Sequence, residues 1–137
     1  MMLVRLLPLL FLLLAGKVFA RESPIEVFEY IDDVKIVAFI KESDIEKGLY
    51  WVPFKGSPPL TINQALANIY KYIATNPKLA KATLVEIKLK EIPHHKGYWH
   101  YLIKLNTKTN HKLHPYYFVV LMDGKIFPAL REPESFK

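Results

Sequence analysis

The stretch PPLTINQALANIYKYIATNP, residues 58–77, constrains this chain more than any other. Thr61 followed three residues later by Gln64 is a capping box, in which side chain and backbone at a helix start satisfy each other's orphan groups. Leu60, just before the cap, is placed to staple onto Ala65. Ile62, Ala65, Leu66, Ile69 and Ile73 recur at helical spacing as one apolar stripe, with Asn63, Asn68 and Lys71 on the other side. Asn76-Pro77 halts the helix, because the residue before proline is pushed out of helical geometry. Burying Leu66, Ile69 and Ile73 contributes roughly 1.5–3 kcal/mol each. A helix this short does not persist alone in water, so it must lie on another apolar surface.

The next residues supply that surface. In ATLVEIKLKEI, Val85, Ile87 and Leu89 alternate with Glu86, Lys88 and Lys90, the pattern of a strand with one buried and one wet face. After PHHKG, the run YWHYLIKLN alternates again. Trp99, Tyr101, Ile103 and Leu105 point one way, and Tyr98, His100, Leu102 and Lys104 the other. A polar loop, TKTNHKLHP, leads to the apolar run YYFVVLM. Asp123-Gly124 is a hairpin signal and KIFPAL returns, with Pro128 confining that run to a sheet edge or ending it. Upstream, Ile25–Ile31 and Val34–Ile40 flank Asp32-Asp33. A hairpin is preferred there over one bent strand, since Asp favours turns. LYWVPFKGSPP, broken by proline and glycine, reads as a loop covering one end of the core. The expected class is α+β, one main helix packed on a curved antiparallel sheet of about four to five strands.

The N-terminus, MMLVRLLPLLFLLLAGKVFA, has the positive start, apolar centre and small-residue end of a secretory signal peptide, with cleavage expected after Ala20. Its apolar centre is about ten residues, half the roughly 20 needed to span a bilayer. Residues 21–137 then form a single domain, periplasmic or secreted and with no membrane anchor after cleavage. Two of the 19 basic residues lie in the leader, so the excess over 13 acidic residues is mild. Only three of the 19 are Arg, the residue suited to planar phosphate recognition, so nucleic acid is not an expected partner. The chain has no cysteine, which removes disulfides, thiol catalysis and thiolate metal sites and leaves stability to packing.

IPHHKGYWHY, residues 92–101, concentrates reactive side chains. His94 and His95 fall in a turn and His100 on the following strand. His111 and His114 fall at that strand's other end, roughly 30 Å away at about 3.3 Å per residue. All five cannot share one ion. A local set, His94, His95 and His100, is the metal-binding alternative. No serine stands in a nucleophile elbow and no glycine loop cradles phosphate, so the chain reads as a non-enzyme without a cofactor. Tyr50, Trp51 and Phe54 in the proline-broken loop, with Tyr98 and His100 on the strand, are the candidate partner-contacting residues. Aromatic side chains suit such contacts, and they equally suit a disulfide-free core, where Trp99 and Tyr101 belong.

From Leu60 to Leu130 the succession LTINQALANIYKYI, KATLVEIKLKEI, GYWHYLIKL and YYFVVLMDGKIF resembles the helix-then-antiparallel-sheet pattern of PepSY domains and the related beta-lactamase-inhibitor-like folds. The cystatin-like fold is a neighbour, without its Gln-x-Val-x-Gly loop. The usual Asp…Thr-Gly turn of PepSY sequences is replaced here by Met122-Asp123-Gly124-Lys125, and no functional residue carries over. The resemblance implies a small exported binding or inhibitory module whose partner is another envelope or extracellular protein. A histidine-based envelope metal-binding protein is the alternative.

Overall fold

The computed structural model describes residues 23–132, and the expected leader lies outside them. The elements are β1 (Ile25–Ile31), β2 (Val34–Ile40), α1 (Glu42–Lys47), α2 (Ile62–Ala74), β3 (Thr83–Glu91), β4 (Trp99–Thr109), β5 (Lys112–Leu121) and β6 (Ile126–Arg131). The strands form one antiparallel sheet in the order β1-β2-β6-β5-β4-β3. The α+β class stands, but the sheet has six strands rather than four to five. The N-terminal hairpin joins it because β2 pairs with β6 at Ile36↔Arg131 and Val37↔Leu130. The outermost strands are β1 and β3, yet Glu29 of β1 reaches Lys88 and Lys90 of β3 at 3.0 and 3.2 Å. The sheet therefore curls into a half-barrel.

Local chemistry explains the turns. Asp32 and Asp33 have φ of 50° and 64°, and Asn110 and His111 have 49° and 66°. Two consecutive left-handed residues match the strand twist, and after glycine Asp and Asn tolerate them best. The Asp pair thus closes a hairpin. The polar loop expected over 107–115 is instead paired strand, with Thr109 opposite Lys112 and the turn reduced to Asn110-His111. Pro128 lies inside β6, between two strands, rather than at a sheet edge. It is tolerated because β2 pairs with β6 only at Leu130 and Arg131, so at Pro128 the ladder runs to β5 alone.

The alternation along β4 divides the interior in two. Tyr101, Ile103 and Leu105 lie beneath α2 with Phe118 and Val120 of β5, against Ala65, Ile69 and Ile73. Leu102, Val119 and Leu121 face the concave side and meet Val27, Ala38 and Ile40 of the β1–β2 hairpin. Ile45, on a short helix the sequence pattern did not reveal, plugs one end of this second core. The capping box of α2 is formed, Gln64 N–H donating to Thr61 Oγ1 at 3.2 Å and Thr61 N–H to Gln64 Oε1 at 2.9 Å. Tyr101 Oη donates to the Leu60 carbonyl at 2.6 Å, tying the sheet to the helix entrance. The helix lies over β4 and β5, so Ile62 in its first turn and Val85 and Leu89 on the edge strand remain exposed, contrary to the simple stripe-on-stripe expectation.

Candidate functional site

The loop between α1 and α2 is anchored rather than loose. Trp51 N–H donates to the Gly97 carbonyl at 2.9 Å, and Trp51 Nε1–H to the Gly56 carbonyl at 3.2 Å. Trp51 meets Trp99 edge-on with ring centroids 5.3 Å apart, and Tyr50 meets Tyr98 in the same way at 5.9 Å. Such pairs are worth about 0.5–1.5 kcal/mol beyond their buried area. Gly97, at φ 87°, lies so close beneath Tyr50 that a Cβ there would collide with the ring. These contacts hold the loop while its outer side stays apolar: Leu49, Tyr50 and Val52 are exposed, and Phe54 is 105% exposed. Phe54 also has φ 71°, a left-handed conformation that a bulky side chain rarely adopts and that costs on the order of 1–3 kcal/mol. A large ring is held in an unfavourable backbone conformation and delivered wholly into solvent.

Of the five partner-contact candidates, Tyr50 and Tyr98 pair with each other, Trp51 pairs instead with Trp99, and Phe54 extends from the same loop as Tyr50 and Trp51. His100 does not join them. It is 4% exposed and lies on the concave face of β4 with Leu102. The three candidate metal ligands are also dispersed. His94 is exposed in the β3–β4 turn, and His95 Nδ1 lies 2.8 Å from the Pro93 carbonyl with Nε2 3.6 Å from Glu42. Among the described residues, no group of three His, Cys, Asp or Glu side chains is arranged to hold a metal ion.

A second polar assembly lies inside the half-barrel. Glu29 binds both Lys88 and Lys90 across the gap between the edge strands. Burial pushes its carboxyl up, but the hydrogen bonds and positive charges of the two lysines outweigh burial and leave it below the ordinary carboxylate range. Beside it, burial and then the charge of Lys90 depress the His100 imidazole to about 4, so it is neutral at pH 7. Among the described residues, neither the buried Glu29 Oε2 nor the buried His100 Nδ1 has a hydrogen-bond partner. Both side chains line a small cavity of about 40 Å³, together with Lys90, Glu91 and apolar residues such as Val27, Leu102 and Val119. Buried polar atoms are paired in the great majority of cases, so two together in one cavity mark an unusual site.

Sequence reasoning passed over this assembly because Lys88 and Lys90 alternate with apolar residues in the manner of a wet strand face. Their signal was Glu29, a lone carboxylate on the apolar side of IEVFEYI at period two with Val27 and Ile31. Comparison with models of known protein families, with curated proteins and with solved structures found no match.

Proposed function

We propose that this protein is a small exported binding module that captures another envelope or extracellular protein through the aromatic loop of Tyr50, Trp51 and Phe54. One observation carries the reading: Phe54 is wholly exposed in a strained conformation on a loop pinned at Trp51 and Gly97. Backbone strain of this kind persists only where surrounding structure enforces it, and a rigid exposed ring loses little entropy on docking. Leu49 and Val52, on the same loop, are exposed as well. Paired Tyr50–Tyr98 and Trp51–Trp99 rings form its support. The signal-peptide pattern of Met1–Ala20 and the PepSY-like succession of Leu60–Leu130 favour the same class of exported, non-enzymatic module.

The experiment compares the protein with Phe54→Ala in capture from envelope extract. Phe54 makes no core contribution, so the variant is expected to keep its melting temperature and lose at least one specifically captured protein. An identical captured set from both proteins would refute the assignment to this loop.

A further inference from the structure

The half-barrel is plugged at one end by Ile45 and clasped across its middle by Glu29. At the other end its strands diverge. β2 and β6 share only two paired positions, while the β4–β5 hairpin runs on to Thr109 and Lys112. Between them opens a hollow of about 550 Å³. That size falls within the range of small-molecule sites, roughly 300–1,000 Å³. It adjoins the inner cavity, with which it shares Ile36 and Ala129.

The lining combines two chemistries. Val34, Ile36 and Ala129 give an apolar floor, and Tyr117 an aromatic wall, while the Tyr116 ring turns to the α2 side of the sheet. Lys104 and Arg131 bring two positive charges to the same hollow, with Asp32 the only carboxylate lining it among the described residues. Most lysines among the described residues form no ion pair, and these two cations are likewise unpaired. Lys35, Lys88, Lys90 and Lys125 each hold a carboxylate within 3.2 Å, whereas among the described residues neither Lys104 nor Arg131 has an ion-pair partner. Glu86 stands opposite Lys104 in the β3–β4 register but pairs with Lys88. Lys104 Nζ instead lies 5.8 Å from the centre of the Tyr117 ring, over the aromatic wall.

We infer that this open mouth is a binding site for a small amphipathic organic anion, its apolar body against Ile36 and the Tyr117 ring and its carboxylate between Lys104 and Arg131. Two cations suffice for one acid group, and the Arg131 guanidinium can grip a carboxylate with two parallel hydrogen bonds. The curled sheet encloses the body of the ligand much as small barrels hold one small ligand. The site is separate from the aromatic loop, which lies by α2 and the β3–β4 turn.

The test titrates the protein with decanoate and, separately, with 1-decanol, following backbone amide shifts by NMR. Decanoate is expected to saturate one site, moving the amides of Lys104, Tyr117 and Arg131, and decanol to bind at least about tenfold more weakly. Lys104→Ala and Arg131→Ala should each weaken decanoate about tenfold at unchanged melting temperature, while Lys104→Arg retains it. No saturable shift, equal binding of decanol, or shifts confined to another part of the chain would overturn the inference.

Discussion

Replacing His100 with leucine tests whether the concave core holds a neutral imidazole. His100 is depressed from 6.5 to about 4, first by burial and then by the charge of Lys90. Unfolding releases the imidazole to its ordinary value, so between these limits the unfolded chain binds a proton the folded chain does not. Stability is then complete above about pH 6.5 and falls as pH drops toward 4, because the unfolded state is the one that gains the proton. The gap of 6.5 to about 4, at about 1.4 kcal/mol per unit, amounts to about 3 kcal/mol. Glu29 does not blur the window. Its carboxyl is lowered from 4.5, so its contribution is present above that value and lost only below it. Lys88, raised by its hydrogen bond to Glu29, stays charged throughout. Urea unfolding at half-unit intervals from pH 7.5 to 4.5 supplies the measurement. Wild type is expected to lose most of the 3 kcal/mol over that interval, and His100→Leu to lose little, being as stable as wild type or more so at pH 7 because an unpaired buried nitrogen is gone. Parallel curves for the two proteins would refute the argument.

Two further perturbations probe the supports of the candidate sites. Gly97→Ala should destabilise by about 1–3 kcal/mol in thermal unfolding, since the residue sits at φ 87° against Tyr50, and should quench the Tyr50–Tyr98 contact seen by NMR. Glu29→Gln should lower the urea midpoint modestly, by about 1 kcal/mol given that Lys88 and Lys90 are more than a third exposed, and the difference should shrink in 1 M salt.

Much of the scaffold was legible because short-range rules decided it. Thr61 and Gln64 specified the helix start, period-two alternation placed Tyr101 and Leu102 on opposite faces of β4, and Asp32-Asp33 sat where a turn needs residues that tolerate positive φ. What alternation does not encode is the surroundings of the polar face. Lys88 and Lys90 read as solvated, yet curling of the sheet turns them toward Glu29, some sixty residues away in the chain. The same blindness placed His100 among surface residues. Pro128 was misjudged for the opposite reason. The rule against proline in central strands is local to each ladder, and β2 joins β6 only beyond it. The conformation of Phe54 had no sequence signal, because the loop that holds it is anchored by the hydrogen bond from Trp51 to Gly97, a residue far away in the chain.

The half-closed sheet leaves its two outer strands, each without a second strand partner among the described residues, joined to one another by the side chains of Glu29, Lys88 and Lys90. Another chain seeking to extend the sheet must first pull apart that electrostatic latch. A protein with no cysteine to lock its shape thereby shields its most fibril-prone surfaces with three charged side chains.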